Sequence, residues 1–205
     1  MENCKRLYAD TLAFYRRELS GPVFTAGWAF AGIVVLGFVF SLLSPTRADA
    51  VIAYYAQMLG QSGVADEGGN IQFFALLINN LVAMALSLVY GLIPFLRLPA
   101  LTLGTNGAIL GLFAGYYMRQ NISLLKYLLG ILPHGIFELT ALILSAAMGL
   151  YLCSTVTNAL RKKQTGVLRP ALHRCCQILY LWVLPLLFIA ALVETYITPI
   201  LFNLV

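Results

Sequence analysis

Charge is what this chain has least of. Only 10% of its 205 residues are charged, against 60% hydrophobic, whereas a soluble domain carries about a quarter charged residues. So few charges cannot cover a water-facing surface, and lipid is the expected solvent for a single compact domain. Histidine (2) and cysteine (4) are also scarce. The cysteines show no paired spacing: Cys4, Cys175 and Cys176 sit in basic segments and Cys153 falls near a helix end, which argues for free thiols in a reducing compartment rather than a disulfide framework. Neither HExxH nor GxSxG occurs, so the commonest zinc-hydrolase and serine-hydrolase signatures are missing. No cleavable leader is visible, because the first apolar run begins at Val23, is long enough to span and has no small-residue cleavage site after it. No inverted repeat stands out.

What is present is a series of long apolar runs punctuated by small basic clusters. The 13 Lys and Arg outnumber the 8 Asp and Glu, for a net charge of +5. Their clustering between apolar runs is a topology signal of membrane proteins and speaks against nucleic-acid binding. The pattern predicts an all-α, polytopic membrane helix bundle with about five transmembrane helices. Residues 4–19 read as an amphipathic helix on the inner membrane surface, with Leu7, Tyr8, Leu12, Phe14, Tyr15 and Leu19 on its apolar face. Glu18 within that face hints that it also packs on protein. Ser20-Gly21-Pro22 is expected to break this helix, dividing the chain into a surface segment, 1–22, and a transmembrane domain, 23–205.

The expected spans are 23–43, 71–93, 100–118, 134–153 and 177–202. A short outer helix is expected around 50–59, followed by a flexible loop holding Asp66, Glu67, Gly68 and Gly69. Residues 122–133 are apolar but short and predict an interfacial or re-entrant segment. On this plan one side holds ten Lys and Arg and the other three (Arg47, Arg119 and Lys126). That places the N-terminus in the cytoplasm and the C-terminus outside.

Polar groups inside apolar spans are costly and are functional candidates by default. His134 and Glu138, four residues apart, share a helix face; Asn79 and Asn80 lie in the second span and Glu194 late in the fifth. All are placed in the outer half and expected to converge on one site. A structural reading stands beside this: Pro133 suits a helix start, and Arg119 could neutralise Glu138 or Glu194. As metal ligands, His134, Glu138 and Glu194 would need water to complete a zinc-like set. His173, Cys175 and Cys176 make a weaker metal candidate, since adjacent cysteines are poor co-ligands. Asn106 is assigned elsewhere, near the cytoplasmic end of the third span. Gly107, Gly111 and Gly115 read as a face for close helix approach; the alternative is that Gly91–Pro94 and Gly104–Gly107 break their helices and expose backbone to a ligand or ion. Ala141, Ser145 and Gly149 form a second small-residue stripe, facing the third span or a second copy of the chain.

Residues 79–111 (NNLVAMALSLVYGLIPFLRLPALTLGTNGAILG), 132–139 (LPHGIFEL) and 193–199 (VETYITP) together resemble the stage II sporulation protein M family, over roughly residues 23–203. The resemblance implies a five-span bacterial membrane protein. In sporulating bacteria such a protein acts with a peptidoglycan hydrolase and a second membrane-anchored partner during engulfment, as a scaffold rather than a catalyst. The family pattern carries over to Asn79, Asn80, Asn106, Gly107, Pro133, His134, Gly135, Glu138 and Glu194, and brings no catalytic role with it.

Three functions follow as expectations: a scaffold for cell-wall-remodelling proteins, a small-solute or ion transporter or channel, and a membrane-embedded metal-dependent hydrolase. No cofactor is required by the first two, and a divalent metal by the third. Lipid, other membrane or cell-wall proteins and a second copy of the chain are the expected partners. A dimer is favoured because small-residue faces outnumber the helices available to cover them.

Overall fold

A computed structural model describes residues 2–64 and 71–203. The Asp66–Gly69 loop and the side chain of Cys4 lie outside the described residues. Every regular element among those described is helical: α1 (Glu2–Phe14), α2 (Ser20–Leu43), α3 (Pro45–Gln61), α4 (Phe73–Tyr90), α5 (Pro99–Arg119), α6 (Leu124–Lys162), α7 (Leu168–Ile178), α8 (Leu184–Leu192) and α9 (Thr198–Asn203). The fold is an all-α bundle. Four continuous helical stretches are long and apolar enough to cross a membrane: Lys5–Leu43, Phe73–Tyr90, Leu124–Lys162 and Leu168–Leu201.

The fifth expected span, α5, has 21 residues, enough for the ~30 Å hydrocarbon core at 1.5 Å per residue. It is less apolar because of the run Gly104-Thr105-Asn106-Gly107. Those polar side chains are satisfied within the helix: Thr105 Oγ1 donates to Leu101 O (3.0 Å) and Asn106 Nδ2 to Thr102 O (2.8 Å). α5 therefore runs unbroken through Gly104–Gly107, and the broken-helix reading does not hold there.

Two expected boundaries are absent. Ser20-Gly21-Pro22 does not end the first helix, because a π turn at Tyr15–Leu19 carries α1 into α2. In that turn the Ser20 N–H donates to Tyr15 O, and Ser20 Oγ donates to Arg16 O at 3.0 Å. The wide turn makes room for the ring of Pro22. The same device recurs in the last stretch, where π turns at Leu179–Val183 and Val193–Ile197 precede Pro185 and Pro199. The second missing boundary is Pro133. Residues 124–133 and the fourth span form one helix, α6, 39 residues long with Pro133 inside it. Its true start is Ser123, whose Oγ accepts from the Leu125 N–H at 3.1 Å. Pro133 removes one backbone donor within a helix that neighbouring helices hold in place. Because 122–133 is not a separate crossing, the alternation of later helices is unchanged.

α6 is the central element. Of its most apolar stretch 56% is buried, against 17–28% in the other three apolar helices. It packs against α2, α4, α5, α7, α8 and α9, and Leu142, Met148 and Leu152 are fully buried with Leu19, Ile178 and Leu187. The most extensive helix pair is α2 with α5. A Cβ on Gly111 would overlap the Val34 carbonyl, and one on Gly37 would stand 2.6 Å from Ala108 O. Backbone contact this close explains the Gly107–Gly111–Gly115 face. The Ala141–Ser145–Gly149 stripe is likewise buried within the protomer, with Gly149 against Ser87 O and Pro99. Neither stripe is left for a second copy.

α1 lies on protein, with Tyr8 and Tyr15 against the Trp182 ring (6.2 and 5.4 Å between centroids) and Phe14 against Tyr151. α3 packs Ala48 and Ile52 on Leu112 of α5. Arg119 does not reach Glu138 or Glu194. Its guanidinium forms a two-pronged pair with Asp49 of α3 (2.5 and 3.3 Å) and donates to Ser41 Oγ at 3.3 Å.

Candidate intramembrane site

α3, α4, α5, α6 and the last helical stretch line an open cavity of about 720 Å³. Its wall includes Asn79 and Asn80 from α4, Asn106 from α5, His134, Gly135 and Glu138 from α6, and Glu194 with Thr198 from the last stretch. Tyr55 and Leu59 of α3 also line it. Among the described residues, no Lys or Arg lines it.

Each polar group is delivered by a local feature. His134 and Glu138 lie one turn apart on α6. Glu194 sits in the π turn Val193–Ile197, which shifts the helical register by one residue. Thr198 follows four residues after Glu194 and meets His134, Nδ1 to Oγ1, at 3.2 Å. The other ring nitrogen, Nε2, stands 3.9 Å from Glu194 Oε2. Asn80, 8% exposed, hydrogen-bonds the Glu138 side chain. One ligand atom from each of His134, Glu138 and Glu194 lies within 4.8 Å of the others. Burial, then the nearby Glu138 and Glu194 charges, push the Tyr55 phenol above its ordinary range. Tyr127, whose hydroxyl donates to Leu110 O at 2.6 Å, and Tyr117, with ring centroids 5.3 Å apart, complete an aromatic edge.

Glu138 and Glu194 thus lie on the same side of the bundle, beside Asn79, Asn80 and His134. The depth differs from the sequence expectation. With α6 starting at Leu124, Glu138 lies fourteen residues inside it, ~21 Å along the axis at 1.5 Å per residue. Asn106 lies thirteen residues from the matching end of α5, ~20 Å by the same rise. It belongs to this cavity and not to a separate inner motif. Gly107, Gly111, Gly115 and Pro133 are not cavity-lining; the glycines serve the α2–α5 contact.

Tyr55, Tyr117, Tyr127 and Thr198 are cavity residues that the sequence reading did not single out. Thr198 had a usable signal: Glu194 and Thr198 repeat the i, i+4 spacing of His134 and Glu138. The tyrosines had none, since aromatics at membrane interfaces are common. The second metal candidate is not assembled: Cys175 is buried, Cys176 is exposed, and His173 Nε2 meets Gln177 Nε2 at 3.1 Å.

No solved structure matches the chain. An uncharacterized protein of Methanocaldococcus jannaschii is 31% identical over 170 residues, covering 80% of this chain and 88% of that protein. The family model described as stage II sporulation protein M matches residues 23–199, a stretch that takes in every residue lining the cavity. The chain is a helical membrane protein and belongs to the stage II sporulation protein M family.

Proposed function

We propose that the protein binds a small polar or cationic solute inside the membrane and that the cavity is part of its path. One observation carries this reading: a cavity of about 720 Å³ gathers three asparagines, a histidine and two carboxyl side chains from four separate stretches of helix. The volume falls within the range of small-molecule sites, roughly 300–1,000 Å³. Polar side chains at this depth carry a standing energetic cost. A bundle held together only by packing has no need of six of them facing one void. The acidic lining, without Lys or Arg among the described residues, favours a cation or a neutral hydrogen-bonding solute over an anion.

The test is flux in proteoliposomes containing the purified chain, over a panel of monovalent cations, divalent cations and small neutral solutes. At least one should cross faster than in protein-free vesicles. Glu138→Gln and Asn106→Leu should each lower that flux several-fold while the protein still elutes as a folded species. Vesicles no leakier than empty ones across the panel would sink the reading.

The second reading is a scaffold for peptidoglycan-remodelling partners, in a bacterial cytoplasmic membrane with the N-terminus in the cytoplasm. Family membership favours it. It predicts a stoichiometric membrane or cell-wall protein in native-membrane pull-downs, retained by the Glu138→Gln variant. A homo-oligomer would have to use the outward faces of the helices, since the glycine and alanine stripes are covered internally.

A further inference from the structure

We propose that His134, Glu138 and Glu194 form a binding site for one divalent transition-metal ion, with its remaining coordination position open to the cavity. This deepens the solute-binding reading and rests on it only for the idea that the cavity admits a ligand.

His134 Nε2 and Glu194 Oε2 face each other at 3.9 Å, too far for a hydrogen bond and about half an ångström wider than two ligands of one ion. Zinc-class ions bind imidazole nitrogen and carboxylate oxygen at about 2.0–2.2 Å. Two ligands of one tetrahedral ion then lie about 3.3 Å apart. The three ligand atoms already fall within 4.8 Å of one another, so small side-chain rotations close the set.

The surroundings fit the same purpose. Thr198 Oγ1 occupies His134 Nδ1 at 3.2 Å. If that hydroxyl accepts the ring proton, the Nε2 lone pair is left aimed at Glu194. A metal-bound histidine usually has its second nitrogen held in this way. Asn80, almost wholly buried, holds Glu138, as carboxylate ligands are commonly held by outer partners. The charge balance points the same way. Two carboxyl groups share an apolar bundle, and Arg119 is engaged by Asp49. A doubly charged ion would neutralise both. The donor set of one imidazole and two carboxylates suits zinc, manganese or iron(II) better than magnesium or calcium, which prefer all-oxygen shells. Among the described residues no cysteine joins the set: Cys153 Sγ lies on Ile93 O, Cys175 is buried elsewhere in the core and Cys176 is exposed.

The experiment uses the full chain, purified in mild detergent, stripped with a chelator and titrated with Zn²⁺, Mn²⁺ and Co²⁺. Retained metal is counted by mass spectrometry, and the zinc-loaded wild type is examined by X-ray absorption. One ion per chain with only nitrogen and oxygen neighbours is expected. Glu194→Gln and His134→Gln should abolish stoichiometric binding, Thr198→Val should weaken it roughly tenfold or more, and His173→Ala should leave it unchanged. Sulfur in the zinc shell, no retained ion, or unchanged affinity in Glu194→Gln would overturn the site. The absorption spectrum is read on the wild type, so it decides even if a variant fails to fold. Flux measured on the stripped protein separates the two ideas: solute flux without metal binding leaves the cavity reading standing and ends this one. Metal binding without any flux does the reverse.

Discussion

Arg119 and Asp49 show how one residue's partner can redirect an inference about another. From the sequence, Arg119 was free to neutralise an intramembrane carboxylate; in the fold it clamps α3 to the ends of α2 and α5. The guanidinium, by hydrogen bonding first and charge second, holds the Asp49 carboxyl below its ordinary value of 3.8. Because the folded value is depressed, the stabilisation is complete above pH 3.8 and is lost as pH falls through the folded value. Wild-type protein should therefore unfold at a higher temperature than Asp49→Asn at pH 7, with the gap closing in acid; thermal unfolding in detergent across that range checks it. The gap should be small, since the Asp49 side chain is 45% exposed and screening weakens such pairs. At the buried end, Asn80→Ala removes a hydrogen bond from Glu138 and should cost about 1 kcal/mol of stability, as intramembrane hydrogen bonds do. His134, Glu138 and Glu194 were legible in the sequence because ionisable groups stand out in apolar runs. Asn106 was misplaced because its depth depends on which helix end is counted from, and Thr198 escaped because hydroxyls in membrane helices usually serve their own backbone.

Among elements, the glycines give the sharpest contrast. A Cβ at Gly111 would meet the Val34 carbonyl, a backbone atom that cannot rotate away, whereas one at Gly27 meets nothing within 4 Å. Gly111→Ala should destabilise by about 1–3 kcal/mol or more through overpacking. Gly27→Ala should be neutral or stabilise by up to about 1 kcal/mol from helix propensity. Unfolding in denaturing detergent would show both signs in one experiment, and equal effects would discredit the α2–α5 contact. The small-residue faces were readable as packing surfaces, but their partners were not, since spacing identifies a face and not its occupant. Helix ends were read least well, and for one reason. Proline is a reliable stop signal where water can satisfy the freed carbonyl. Here Pro22, Pro133, Pro185 and Pro199 all sit inside continuous helical stretches, because lipid offers the backbone no alternative to staying helical.

For the molecule as a whole, the order and approximate extent of the apolar segments were fixed by hydropathy alone, while the merging of 122–133 into α6 needed the three-dimensional packing. The positive-inside reading makes a direct prediction about sidedness. Cys176 is exposed on α7, next to the basic 161–174 segment. In a variant keeping only that cysteine, a membrane-impermeant maleimide should label broken cells and spare intact ones. Labelling of intact cells would invert the molecule. The π turns carry a last consequence, for how chain length can vary. Each holds one residue more than an α-helical turn of the same rise, so it is a place where the chain can lose a residue without disturbing the faces on either side. Relatives aligned to this chain should show their single-residue gaps at 15–19, 179–183 and 193–197 rather than elsewhere in the helices. Deleting one residue from the first two should leave a folded bundle. Deleting one from the third should do so as well, but with Glu194 swung off His134: a protein of normal fold with its polar cluster taken apart.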